Sequence, residues 1–300
     1  MSVEAIRGAR TGGFRQGVAR LGLDGTTALA LPAMVFMLAL FVYPFFYGLL
    51  LSFTPNEGTW LANYTAFFSD SYLYDTIKTT MWVALPVTLF NLIIAVPIAF
   101  RVRLMRRQRL LTTILVLPIT LGTVLVAEGL LNYLGPQGWF NRTLILFHII
   151  HSPIRLVHNY WGVFASLLIS GFPFTFLLTL SYVTGIDPAL EQAAATLGAR
   201  ASQRFRYVFL PLLMPGLVIT FCLSFVQAFS VFPSALLLGD PAGSTRVMAI
   251  AAYQAAFEKY DYPMASAIAM IMGFSQLAVV VVVLAFRGFF YRGASSGGKG

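Results

Sequence analysis

The sequence predicts an all-α integral membrane protein with six transmembrane helices, and three observations carry that prediction. Of its 300 residues, 58% are hydrophobic and 10% charged, whereas a soluble domain carries roughly 25% charged residues. Six apolar runs each approach the ~20 residues needed to cross a hydrocarbon core about 30 Å thick. The basic residues also segregate. With alternating spans, Arg7, Arg10, Arg15, Arg20, the cluster Arg101, Arg103, Arg106, Arg107 and Arg109, then Arg200, Arg204, Arg206, and finally Arg287, Arg292 and Lys299 fall on one side. Lys78, Arg142, Arg155, Arg246 and Lys259 fall on the other. Lys and Arg are in excess in cytoplasmic loops, so both termini, the arginine cluster and segment 186–215 are expected in the cytoplasm. The same bias accounts for the net charge of +9 without a nucleic-acid partner.

Taken in order, residues 1–26 are basic and glycine-rich and read as a cytoplasmic arm. The first span, 27–53, exceeds the apolar region of a cleavable signal peptide, about 7–15 residues, and reads as a retained anchor. Pro32 and Pro44 are expected to kink it, with neighbouring helices satisfying the freed carbonyls. Residues 54–75 lie outside, and the stretch LANYTAFFSDSYLYDTI is aromatic and mildly amphipathic, as interface-lying segments are. The second span, 77–100, ends at the arginine cluster, and the third is 110–134. The outer segment 135–158 contains GWFNRTLILF, a short surface helix. The fourth span is 159–183 and the fifth 212–238. An outer loop, 239–261, holds an apolar helical stretch. The sixth span, 263–286, opens with Ala, Ser and Gly, which permit close helix contact. Residues 288–300 read as a disordered cytoplasmic tail.

Segment 186–215, IDPALEQAAATLGARASQRFRYVFLPLLMP, is the most polar internal stretch. It reads as two short helices with a break between them. Asp187 is placed to N-cap the first, and Pro188 suits its first turn, where no helical hydrogen bond is lost. Leu190, Ala193, Ala194 and Leu197 form a modest apolar face. Gly198 stands where a helix stops on a residue with positive φ. Ser202 is the expected cap of the second helix, with Phe205, Val208 and Phe209 on one side and Arg204 and Arg206 elsewhere. Such a hairpin, too polar for lipid and too apolar on one face to stand alone, is a docking element.

Gln192, Ala193, Ala194, Gly198, Val208, Leu210 and Pro211 stand at the spacing E-A-A, three residues, G, nine residues, I-x-L-P. In this the chain resembles the permease subunits of ATP-binding-cassette importers, the MetI-like inner-membrane components, with wording most like the spermidine/putrescine, iron and oxyanion branches. Gln192 replaces the motif's Glu and Val208 its Ile; Glu191 supplies a carboxylate one residue early, on another side of the helix. The resemblance implies a type I importer permease fold with a cytoplasmic coupling hairpin, a peripheral first helix at 27–53 and a five-helix core at 74–287. It implies ATPase coupling through Glu191, Gln192, Ala193, Ala194, Gly198, Arg204, Leu210 and Pro211. It also implies a bacterial inner-membrane assembly with two ATP-binding subunits, a second permease in a heterodimer, and a periplasmic or lipoprotein solute-binding protein meeting the outside loops, 239–261 in particular. A bulky residue at Gly198 is expected to spare membrane insertion and uncouple ATP hydrolysis.

No phosphate-binding G-x-x-x-x-G-K-[ST] occurs; the Gly298-Lys299 pair is followed by Gly300. ATP and Mg²⁺ are therefore expected on a partner ATPase, with no cofactor, catalytic residue or metal ligand in this chain. Glu128 is the one acidic residue deep in an expected span. Burying a carboxylate there costs about 2.5–3.5 kcal/mol on the insertion scale, so it must face protein or water. Two roles are open to it: a site for a cationic solute, which suits a polyamine, or a carboxyl bonded to neighbouring helices near the outer interface. Asn132, Gln227, Phe229 and Ser230 are the other candidates for the substrate pathway, with helix packing as the competing role. His148 and His151 share a helical face, but Pro153 intervenes before His158 and no Cys, Asp or Glu lies nearby, which points to an interfacial structural role. Cys222, in an apolar run, reads as a packing residue. Asn63 and Asn141 match glycosylation acceptors only weakly. No G-x-S-x-G accompanies a nucleophile. The alternative to an importer subunit is an ion-coupled secondary transporter, which usually shows inverted repeats and several buried ionisable residues; no internal repeat is visible.

Overall fold

All regular structure in the computed structural model, which describes residues 25–290, is helical. The basic arm and the Gly-Ser tail lie outside the described residues. Six helical stretches are long and apolar enough to cross a membrane. They are α1 (Gly25–Ser52), α3 (Ser71–Val102), α4 (Gln108–Leu134), α6 (Tyr160–Thr184), α9 (Leu210–Phe229) with its lead-in, and α12 (Tyr262–Phe290). Short helices join them: α2 (Ala62–Ser69), α5 (Trp139–Leu146), α7 (Pro188–Thr196), α8 (Ala201–Arg204), α10 (Pro233–Leu237) and α11 (Met248–Tyr253).

The central element is α3. It packs along α6, α9 and α11 and contributes Ala84, Val83 and Val87, and Ala95, Ala99 and Val102 to three successive buried clusters. Small residues let the backbones approach: Gly216 of α9 faces the ring of Tyr182 at close range, as expected where lipid supplies no hydrophobic drive and van der Waals packing must. Hydroxyl pairs also cross between helices. Thr175 on α6 shares a hydrogen bond with Ser224 on α9 at 2.8 Å, and Ser166 donates to Ser234 at 2.9 Å. By contrast, α1 lies along α12 with most of its large apolar residues exposed. Its end is tied to α2 by Ser52 Oγ–Tyr64 OH, 2.8 Å, and by Asn63 Nδ2 donating to Ser52 O, 3.0 Å.

Two spans are broken where the sequence reads as continuous. In α4, Gly122 has φ 76° and ψ 161°, a conformation open to glycine and costly to other residues; it lies four residues after Pro118. The fifth span was expected to run to residue 238, but α9 ends at Phe229. Ser230, Val231 and Phe232 then form a bend, and Pro233 starts α10. Irregular backbone at membrane depth is tolerated where protein or a cavity covers it. Within the expected outer loop 239–261 the apolar helical stretch is internal: Val247, Met248, Ile250 and Ala251 are buried, with Met248 N–H donating to Thr80 Oγ1 on α3 at 2.9 Å.

Candidate functional site

The hairpin is built from local signals. Asp187 accepts from Ala189 N–H at 2.8 Å and caps α7, with Pro188 in its first turn. At the other end Gly198 has φ 82°. Gly198 N–H bonds to Ala195 O and Ala199 N–H to Ala194 O, each at 3.0 Å. This paired closure satisfies carbonyls that a helix end otherwise leaves open. No residue of α7 is buried; Gln192 and Ala193 are exposed, and Leu197 is 87% exposed.

The second half of the hairpin departs from expectation in two ways. Ser202 does not cap α8; Arg200 precedes it, and Gln203 Oε1 accepts from Arg200 N–H at 2.8 Å. α8 continues through a π-helical turn, Phe205–Phe209, into α9, and Leu210 and Pro211 open that apolar helix as expected. Pro211 stands where the π-helical turn gives way to α9, so the helical hydrogen bond its missing N–H cannot make falls on that turn. Phe209 is fully buried. Arg204, expected to point away, turns inward, with Nη1 3.7 Å from Glu191 Oε1.

The residue that sequence reasoning left out of this site is Arg103, at the C-terminal end of α3. Its Nη2 donates to Glu191 Oε2 at 2.6 Å. Its guanidinium lies over the rings of Phe100 and Phe209, 4.4 and 4.3 Å from their centres. Arg103 was visible only as one member of a basic cluster; nothing in its spacing distinguishes it from Arg101 or Arg106.

A cavity of about 110 Å³ lies where the two broken spans meet. Asn91, Thr123, Ser170, Thr175, Ser224, Gln227, Ser230 and Ser234 contribute its polar lining, and no charged residue does. Asn91 is 2% exposed, and its Oδ1 has no partner among the described residues. Ser230 Oγ accepts from Gln276 Nε2 at 2.6 Å, tying the bend to α12. Of the expected pathway residues, Gln227 and Ser230 line this cavity. Phe229 does not: it is fully buried and packs against Phe225, ring centres 5.4 Å apart. Glu128 and Asn132 stand apart, exposed on α4, with Asn132 Nδ2 donating to Glu128 O at 3.0 Å and to its Oε1 at 3.3 Å. The five residues thus do not form one site within this chain.

At the far end of α3, Arg246 is 4% exposed. Its Nε donates to Gln254 Oε1 and its Nη1 to Tyr72 O, each at 3.0 Å, and it lies 3.7 Å from the centre of the Tyr72 ring. Burial pushes its guanidinium below the ordinary value, opposed by Tyr72, Asp70 and Glu258. His148 and His158 each have φ 56° and occupy turn positions. The amide of Asn141 is buried, donating to Gly135 O and Ile154 O and accepting from Ile154 N–H, which leaves no acceptor site there for a glycan.

Comparison with known proteins bears on these arrangements. Residues 91–295 match the family of binding-protein-dependent transport system inner membrane components. The chain is 32% identical over 181 residues to the spermidine/putrescine permease protein PotB of Haemophilus influenzae, covering 60% of this chain and 63% of PotB. It is 30% identical over 177 residues to the probable sulfate permease protein cysT of Prototheca wickerhamii, covering 59% and 67%. The fold matches a chain of a bacterial alginate ABC transporter solved with its alginate-bound periplasmic protein, TM-score 0.77 at 21% identity, covering 93% of this chain and 99% of that one. A chain of the MetNI methionine ABC transporter gives TM-score 0.54 at 16% identity, covering 71% and 95%. A motif-bearing hairpin on a six-span helical body, matched over most of its core by one family, means that this chain belongs to the binding-protein-dependent inner-membrane components and is a permease subunit of an ATP-binding-cassette importer.

Proposed function

We propose that the chain forms half of the solute pathway of an importer driven by a separate ATPase, and that α7 with the Gly198 turn is the surface on which that ATPase docks. The reading is carried by one observation: α7 is capped at both ends yet buries none of its residues, leaving Leu197 exposed. A rigid amphipathic element presented in this way can pass rigid-body motion between subunits. Two ATPases holding ATP and Mg²⁺, a second permease and an external solute-binding protein complete the assembly. The hairpin and both termini face the cytoplasm, in a bacterial inner membrane. The binding protein meets the parts of 239–261 that remain exposed, Ala242–Ser244 and Phe257–Tyr260.

The solute is a small hydrophilic molecule, with a polyamine as the first choice. Likeness to PotB supports it, as does Glu128, whose exposed carboxylate on α4 requires water or a protein partner rather than lipid. The second reading, a sulfate-like anion, is favoured by likeness to cysT and by a cavity lined with hydroxyls and amides and no carboxylate. Gln227 and Ser230 serve the pathway in either case.

A cysteine at Leu197 in a Cys222→Ala background tests the docking surface. It is expected to cross-link to a co-purifying ATPase and to react with impermeant maleimide from the cytoplasmic side only; labelling from the outside sinks the assignment. Uptake of labelled spermidine, challenged with excess sulfate, then decides the solute, with inhibition by sulfate ruling against the polyamine.

A further inference from the structure

In this chain the motif's carboxylate position is Gln192, exposed, while Glu191, one residue earlier and about 100° around the helix, is turned toward the membrane helices. Because α7 has no buried residue and packs chiefly on α8 and the π-helical turn, Glu191 is its side-chain tie to α3 among the described residues. The partner is well held. Arg103 has 8% of its side chain exposed, and its planar guanidinium lies over two aromatic rings as well as bonding the carboxylate. Arginine is suited to this combination and lysine is not. The site also sits at the C-terminal end of α3, where the helix dipole favours a cation.

We propose that Arg103 is a positioning residue for ATP coupling: through Glu191 it fastens α7 to the end of α3, so that the two helices move as one body. The inference rests on the reading of α7 as the ATPase contact. It gives the hairpin a route into the membrane besides its two chain connections, to α6 and α9. Asn91, which lines the cavity with an unpartnered oxygen, lies on α3 twelve residues from Arg103, roughly 18 Å along the helix axis. A shift of α7 thereby reaches the cavity wall through α3, which stays helical across Pro97 between the two residues. Arg204, at 3.7 Å from the second carboxylate oxygen, holds Glu191 from the other side.

The test uses the complex isolated with its ATPase, in a Cys222→Ala background, with spin labels on cysteines replacing Thr196 in α7 and Ile98 in α3. With Arg103 present, the two labels are expected to give one narrow distance peak, unchanged between the nucleotide-free and ATP–vanadate-trapped states. Arg103→Met is expected to lose the narrow peak. Glu191→Gln, an easier change because Glu191 is half-buried, is expected to lose it as well, and the double variant to add nothing beyond either single change, since a shared link can be lost only once. A narrow peak retained in Arg103→Met, or in Glu191→Gln should the former not assemble, overturns the proposal. If cross-linking from position 197 still reaches the ATPase in that event, the docking surface stands and only the tie to α3 falls; if cross-linking fails in the native complex, the docking reading itself is at fault.

Discussion

Gly198 offers a way to separate backbone geometry from surface contact. Its φ is 82°, and nothing lies within 4 Å of the point a Cβ would occupy. Within this chain, then, a side chain there meets no clash and the penalty is conformational alone. For an L-residue in the left-handed region that penalty is about 1–2 kcal/mol, which lowers the ratio of closed to frayed hairpin roughly 5- to 30-fold. Asparagine tolerates positive φ, whereas a β-branched residue is a genuine outlier there. Gly198→Asn should therefore stay nearest to native, Gly198→Ala should fall further, and Gly198→Val furthest. The assay is the amount of ATPase retained on the purified complex, together with its rate of ATP hydrolysis, with membrane insertion checked separately. An order that follows side-chain volume, with Ala better than Asn, would refute the argument and place the cause in a contact between Gly198 and the ATPase.

Other variants test other parts of the structure. Arg246→Met removes two hydrogen bonds from a charged donor and a ring contact; by the usual worth of such bonds it should lower stability by about 3–6 kcal/mol, read as a drop in thermal midpoint in detergent, and an unchanged midpoint would show that the cluster is ornamental. Gly216→Ala drives a methyl group into the Tyr182 ring and should destabilise by about 1–3 kcal/mol, the range for overpacking. Tyr182→Leu in the same chain should recover part of that loss, and no recovery would mean that the ring is not the obstacle. Glu128→Gln should reduce spermidine uptake while leaving the ATPase bound; unchanged uptake removes the cation-site reading.

Much of this protein was legible in its sequence because the relevant physics is local. Composition and run length placed six helices, since a lipid core admits few alternatives. Asp187, Pro188 and Gly198 announced the ends of α7 because capping involves residues within four positions of each other. The breaks at Gly122 and after Phe229 were harder. Apolar composition continues through both, and the available cues, Pro118 four residues before Gly122 and the Phe232-Pro233 pair, are common in spans that stay helical. The apolar helical stretch within 239–261 was legible and is α11; that α3 and α12 bury it was not, because which helices meet it depends on contacts far along the chain.

The amino-acid sequence by itself determined the membrane class, the order of the spans and the capped hairpin, all of which depend on composition or on neighbours along the chain. Only the tertiary structure decided which arginine of the 101–109 cluster meets Glu191, that Phe229 is core while Gln227 and Ser230 line a cavity, and that Glu128 stands apart from them. Those outcomes depend on the rotation of each helix about its axis. That rotation is set by packing against partners that can lie 174 residues away in the chain, and no local pattern encodes it.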